Sequence, residues 1–222
     1  MFWLQTFTGK LVDVENPTPE MVDIQDIAHA LSMACRFGGH CRDFYSVAEH
    51  SMLVEDEGIV LTTEHDLSRP THERNLDYDR MGLILLLHDA AEAYTGDLTT
   101  PVKRTLDGFA SQVRSQLYLS PTVELEHRWL SAIGRAFGLG EELNDLSPIV
   151  KEADKRALAI EVVNLFHPVQ DAWWTVSKRP TAETSIRCHF PAEARRLFLN
   201  RFWFLQRQLN HRPAWTEEGL RP

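Results

Sequence analysis

The sequence predicts an all-α fold in a single domain, with at most a small β element near the N-terminus or around residues 172–188. Three observations carry this. Segments opened by serine, aspartate or proline, with apolar residues at helical spacing, recur along the chain. The run Met81-Gly82-Leu83-Ile84-Leu85-Leu86-Leu87 is nearly all apolar, which marks a buried helix. Short alternating strands and internal repeats are both missing from the pattern. At 222 residues the chain is long enough for one well-buried core. The organisation expected is an arm over 1–22, a core over about 23–166 and a helical extension over about 167–222.

The elements follow in order. Gly9, Asn16, Pro17 and Pro19 break any period in the first twenty residues, and Trp3, Phe7, Leu11 and Val12 suggest a short extended arm or hairpin. Asp23 caps a helix whose stripe is Ile27, Ala30, Leu31 and Ala34, stopped by Gly38-Gly39. Ser46-Val47-Ala48-Glu49 has the capping-box form and opens a helix through about Leu61, with His50 in its first turn. Residues 62–76 are polar, contain a proline and read as an exposed loop or insertion. The buried helix then runs over roughly 77–95 and is closed by Gly96. Thr99-Thr100-Pro101 starts another helix, Pro121 one to about Phe137, Ser147-Pro148 one to about Phe166, and Pro191 one to about Leu209.

Composition removes several function classes. A net charge of −9 argues against a polynucleotide partner, although a small phosphorylated ligand needs only a few local cations. The N-terminus lacks the pattern of a secretory signal, and the longest apolar run is far short of a membrane span. Three cysteines, Cys35, Cys41 and Cys188, make an odd count without paired spacing; free thiols in a reducing, cytoplasmic setting are expected. Trp173-Trp174 and the aromatic C-terminal helix (Phe198, Phe202, Trp203) read as core or as homo-oligomer contacts.

The chemistry gathers at His88-Asp89. Charge on a buried apolar helix is costly unless paired, and His88, Asp89 and Glu92 stand three and four residues apart, on one side of a helix. His50 supplies a second helix. Asp154, on a face with Val150, Ala157 and Leu158, supplies a third and is expected to point inward. Two histidines and two aspartates form an N2O2 set suited to one divalent ion such as Mn, Co, Ni, Fe or Zn. Each residue alone has a duller reading: a hydrogen-bonded core histidine or a surface aspartate. Their order and number favour the site.

The pattern His50, His88-Asp89, Asp154 resembles the HD-domain phosphohydrolase superfamily, a helical-bundle fold. Within it, the segment from His88 through Lys103 is similar to that of bacterial 5′-deoxynucleotidases, as are Ser46-Val47-Ala48-Glu49-His50-Ser51 and Lys151-Glu152-Ala153-Asp154. The similarity spans about 36–160. The resemblance implies that His50, His88, Asp89 and Asp154 hold the metal. It implies that Glu92 orients or deprotonates the attacking water, or protonates the leaving oxygen. Asp97 would accept from a 3′-hydroxyl, and Arg36 would bind phosphate. The family usually has tryptophan after that arginine; Phe37 stands there and puts base or sugar selectivity in question.

Physical chemistry agrees with several of these roles. Phosphoryl transfer to water needs charge neutralised on the phosphoryl oxygens, an oriented nucleophile and a stabilised leaving group. Arg36 and Lys103 are candidate phosphate clamps, although Lys103 reads equally as a solvated helix lysine. His40, on the Gly-rich connection 38–42, is a candidate acid or clamp against a structural role. The expected activity is release of phosphate from a deoxynucleoside monophosphate. The alternatives are triphosphate release from a dNTP and, less favoured, a non-enzymatic metal-stabilised sensor. Alarmone hydrolases carry Glu-Asp after the HD pair, where Glu92 is followed here by Ala93.

Overall fold

The structure, a computed structural model, describes residues 2–73, 77–113, 120–167 and 185–211. It is an all-α bundle with one two-stranded sheet. Strands β1 (Trp3–Gln5) and β2 (Leu11–Asp13) pair antiparallel, Leu4 opposite Val12. The helices are α1 (Ile24–Met33), α2 (Val47–Leu67), α3 (Tyr78–Leu87), α4 (Glu92–Thr95), α5 (Thr100–Val113), α6 (Pro121–Ala136), α7 (Pro148–Leu165) and α8 (Pro191–His211). The alternative β region, 172–188, lies mostly outside the described residues, as do Trp173 and Trp174.

Helix α2 is the centre of the bundle, packed against α7 on one side and α3 on the other. Its first nine residues, Val47 to Glu55, are buried on every face. Gly58 lets α3 come close, since a Cβ there would run into Leu85. Helix α8 covers α1 and α3, with Gly82 making room for Leu205. The hairpin is pinned to α1 by Asp26, which accepts from the backbone and hydroxyl of Thr8 (2.6 and 2.9 Å). Trp129 of α6, fully buried, donates to Val14 and stacks on Tyr94 at 3.7 Å. Among the described residues no helix is long and apolar enough to cross a membrane.

The start signals hold where a side chain caps a helix. Asp23 accepts from Gln25 N, Ser46 from Glu49 N, Ser120 from Val123 N and Ser147 from Val150 N. The capping box at Ser46 is half formed. Glu49 does not reach back; its carboxylate accepts instead from the backbone of Cys188 and His189 (3.0 and 2.8 Å).

Three boundaries differ from expectation. Helix α1 ends at Met33, not at the glycine pair, because Ala34 turns extended and Cys35 bridges to Ser46. Helix α2 continues through 62–67, expected as loop. Its polar residues there are satisfied: Thr62 donates to Gly58 O, and Asp66 accepts from Tyr78. The expected helix over 77–95 is interrupted at 88–91, between α3 and α4.

Candidate metal centre

The interruption after α3 builds the site. From Leu87 onward the backbone tightens to i→i−3 bonds: Ala90 N to Leu87 O, Glu92 N to Asp89 O and Ala93 N to Ala90 O. His88 is the capping residue of α3, and its Nδ1 is 2.8 Å from Leu85 O. A carbonyl only accepts, so His88 donates from Nδ1, and Nε2 is the nitrogen turned toward the cluster. That Nε2 is 3.2 Å from Asp89 Oδ2. His50, fully buried in the first turn of α2, brings its own Nε2 to 3.4 Å from the same Asp89 oxygen and 3.4 Å from Asp154 Oδ1. Asp154, on α7, is the most open of the four, its side chain 46% exposed; it flanks the cluster without being buried in it.

These donors suit a cation. His50 Nε2 and His88 Nε2 are buried and lack a hydrogen-bond partner among the described residues. His50, His88 and Asp89 each offer one ligand atom, and all of these lie within 4.8 Å of one another. Two donors each about 2.1 Å from one ion at a tetrahedral angle stand about 3.4 Å apart, the spacing seen here. Burial opposes the charge on Asp89, but His88 and His50 overcome it and hold that carboxyl well below its ordinary value. It is therefore an anion ready for a metal.

Arg36 enters from the loop between α1 and α2. Phe37, Gly38 and Gly39 all have positive φ (61°, 62° and 79°), a left-handed turn that glycine adopts freely and phenylalanine does not. The loop is closed at its neck by Arg36 N to Tyr45 O, and docks on the end of α7 through Arg42, which donates to Leu165 O and Asn164 O. The Arg36 Nη atoms stand 3.7 Å from Asp89 and 3.8 Å from Asp154. Phe37 sets its ring edge-on to Phe166, with the Arg36 guanidinium 5.1 Å from its centroid. His40 is exposed at the end of the turn.

Glu92 and Asp97 flank the cluster, linked by Gly96 at φ 81°. Each has one buried carboxylate oxygen without a hydrogen-bond partner among the described residues. Burial, reinforced by the charges of Asp89 and Asp97, pushes the Glu92 carboxyl well above its usual range. Burial raises Asp97 too. Lys103 lies 3.6 Å from Glu92 and 2.5 Å from Glu126, so two carboxylates take up its charge.

One residue at the site escaped the sequence reading. Glu161, fully buried on α7, has Oε1 2.6 Å from His50 Nδ1 and accepts from Arg36 Nε at Oε2 (3.1 Å). Its signal was available: an acid in the apolar stretch Ala157 to Leu165, seven residues beyond Asp154 and so on the same helix face.

Comparison with known proteins adds the lineage. Residues 31–168 match the family model described as 5′-deoxynucleotidase YfbR-like. An uncharacterized protein of Rhodobacter capsulatus is 30% identical over 216 residues, covering 94% of this chain and 97% of that protein. The uncharacterized Escherichia coli protein YfdR is 28% identical over 203 residues, covering 91% and 94%.

Proposed function

This chain belongs to the YfbR-like 5′-deoxynucleotidase family of HD-type hydrolases, and on that premise we propose that it hydrolyses deoxynucleoside 5′-monophosphates to deoxynucleoside and inorganic phosphate. His50, His88, Asp89 and Asp154 would hold one divalent ion. When bound, the ion supplies Lewis acidity to the phosphoryl group and to a water. The remaining work belongs to the protein's own side chains.

Arg36 presents both Nη groups beside the cluster, where the planar fork takes two phosphate oxygens. Glu92 is the proton-transfer group. Its raised pKa keeps it able both to take a proton from water and to return one to the departing sugar oxygen. Asp97 is the acceptor for the 3′-hydroxyl. Phe37 lies beside Arg36 as an apolar wall for sugar or base. Lys103, held between Glu126 and Glu92, places its charge beside the Glu92 carboxyl. His40 keeps only a peripheral role, consistent with its exposure.

The observation that carries this reading is the pair of unpartnered buried oxygens on Glu92 and Asp97 beside the histidine–aspartate cluster. A site built only to hold a structural ion has no use for two further carboxyls with open valences. The test is turnover of dNMPs, NMPs and dNTPs with Mn²⁺, Co²⁺ or Mg²⁺, free of added pyrophosphatase. Orthophosphate from dNMPs, with NMPs poorer, is expected. Triphosphate from dNTPs with dNMPs inert would replace the reading with a dNTP triphosphohydrolase.

A further inference from the structure

We infer that Glu161 is a positioning residue that orients the His50 ring, taking a hydrogen bond from Nδ1 so that Nε2 is the nitrogen presented to the cluster. The inference rests on the metal reading of that cluster. It adds a residue on which the ligand chemistry of His50 depends.

The two histidines of the site are oriented by different means. His88 Nδ1 bonds to the backbone oxygen of Leu85, so its orientation comes with the helix and survives any side-chain change. His50 has no such carbonyl. Its Nδ1 lies 2.6 Å from Glu161 Oε1, inside the shell of residues at 0% exposure. A carboxylate at that distance accepts, so the imidazole donates from Nδ1. Nε2 is then the nitrogen turned to Asp89 Oδ2 and Asp154 Oδ1, the one left to meet a cation. Metal-bound histidines characteristically give their second ring N–H to a carboxylate or carbonyl, and this centre has one of each.

Glu161 is fully committed, because its other oxygen accepts from Arg36 Nε at 3.1 Å. That second contact makes the negative charge necessary. Arg36 Nε–H can only donate, and so can His50 Nδ1–H. A glutamine of the same shape has one acceptor and two donors. If its oxygen serves Arg36, its NH2 faces His50 Nδ1 and calls for the proton to move to Nε2, which removes the metal-binding lone pair. If its oxygen serves His50, the NH2 confronts the Arg36 N–H. Only a carboxylate satisfies both. Helix α7 thus supplies a ligand, Asp154, and two turns later the group that orients another ligand, about 10 Å along its axis.

The experiment loads the full-length protein with Co²⁺ and compares wild type with Glu161→Gln by absorbance titration and by proton NMR. Ring N–H protons of cobalt-bound histidines give shifted, exchangeable resonances. Wild type is expected to show two, with His50 slow to exchange. Glu161→Gln is expected to lose or shift the His50 signal, keep that of His88, and bind Co²⁺ about 10–100-fold more weakly. A variant that binds within twofold of wild type with both resonances unchanged overturns the inference while leaving the metal reading intact. A wild-type protein that takes up no Co²⁺ at His50 and His88 overturns both. Should the variant not fold, the wild-type spectrum decides: a His50 N–H exchanging as fast as an exposed imidazole overturns the assignment.

Discussion

At the scale of residues, Glu92 is where stability and chemistry pull apart. Its folded-state pKa lies above that of the unfolded chain, chiefly through burial and then through Asp89 and Asp97. A raised carboxyl binds more protons in the folded state, so its contribution to stability falls as pH rises from the unfolded value through the folded one. Glu92→Gln removes that cost. In metal-free protein the variant is therefore expected to melt higher than wild type at pH 7–8, and the gap should close as the pH falls to 4. Turnover should drop by about 10²–10⁴, the usual scale for a lost proton-transfer group. Calorimetry across pH checks the first expectation, and a variant melting below wild type at pH 8 would contradict it. Asp97→Asn bears on selectivity: loss of a charged acceptor costs about 1.5–3 kcal/mol, so kcat/KM for dNMPs should fall about 10–100-fold with little change for a substrate lacking the 3′-hydroxyl. His88, Asp89, Glu92 and Asp97 were legible in the sequence as candidates because they stand close together behind an apolar run, and His50 and Asp154 were added to them from their places on two other helices. Glu161 was not, since the partner that gives it meaning is His50, 111 residues away.

At the scale of elements, the site depends on how α2 starts and how closely it meets α3. Ser46 Oγ accepts from Glu49 N at 3.1 Å, and His50 sits in the turn this closes. Ser46→Ala should cost about 0.5–2 kcal/mol in urea unfolding. Gly58→Ala puts a methyl against the buried Leu85 side chain, where α2 and α3 cross. Overpacking of this kind costs about 1–3 kcal/mol, and because these two helices carry His50 and lead to His88-Asp89, metal affinity should fall with it. A Gly58→Ala protein as stable as wild type would show that Leu85 can swing aside. The same helix explains a misread boundary. Gly58, Thr62 and Asp66 follow one another at i, i+4 and i+8 on its buried stripe, so the face that packs inward is small or polar. Hydrophobic periodicity is blind to such a stripe; its burial is tolerated because Thr62 and Asp66 are hydrogen-bonded. The break at 88–91 was equally silent, because alanine is as much at home in a tightened turn as in a helix.

At the scale of the whole molecule, the cluster joins segments that are otherwise separate in sequence. His50 comes from α2, His88 and Asp89 from the end of α3, and Asp154 from α7; α2 packs against both of the others. Unfolding disperses all four side chains, so an ion bound at the cluster favours the folded state over the unfolded one by mass action. At an ion concentration a hundredfold above its dissociation constant, the gain is about 2.7 kcal/mol. For a chain of this length each kcal/mol moves the melting temperature by about 2–4 °C. Saturating Mn²⁺ or Co²⁺ should therefore raise the Tm of chelator-treated protein by roughly 5–10 °C, with a rise that grows as the logarithm of ion concentration once the site is filled. The same addition should leave His50→Gln nearly unmoved, because that variant lacks the ligand that stands within 3.4 Å of both aspartates. Equal shifts in wild type and His50→Gln would mean that the ion acts elsewhere on a surface of net charge −9. Scanning calorimetry with and without chelator separates these outcomes, and it does so without reference to any substrate.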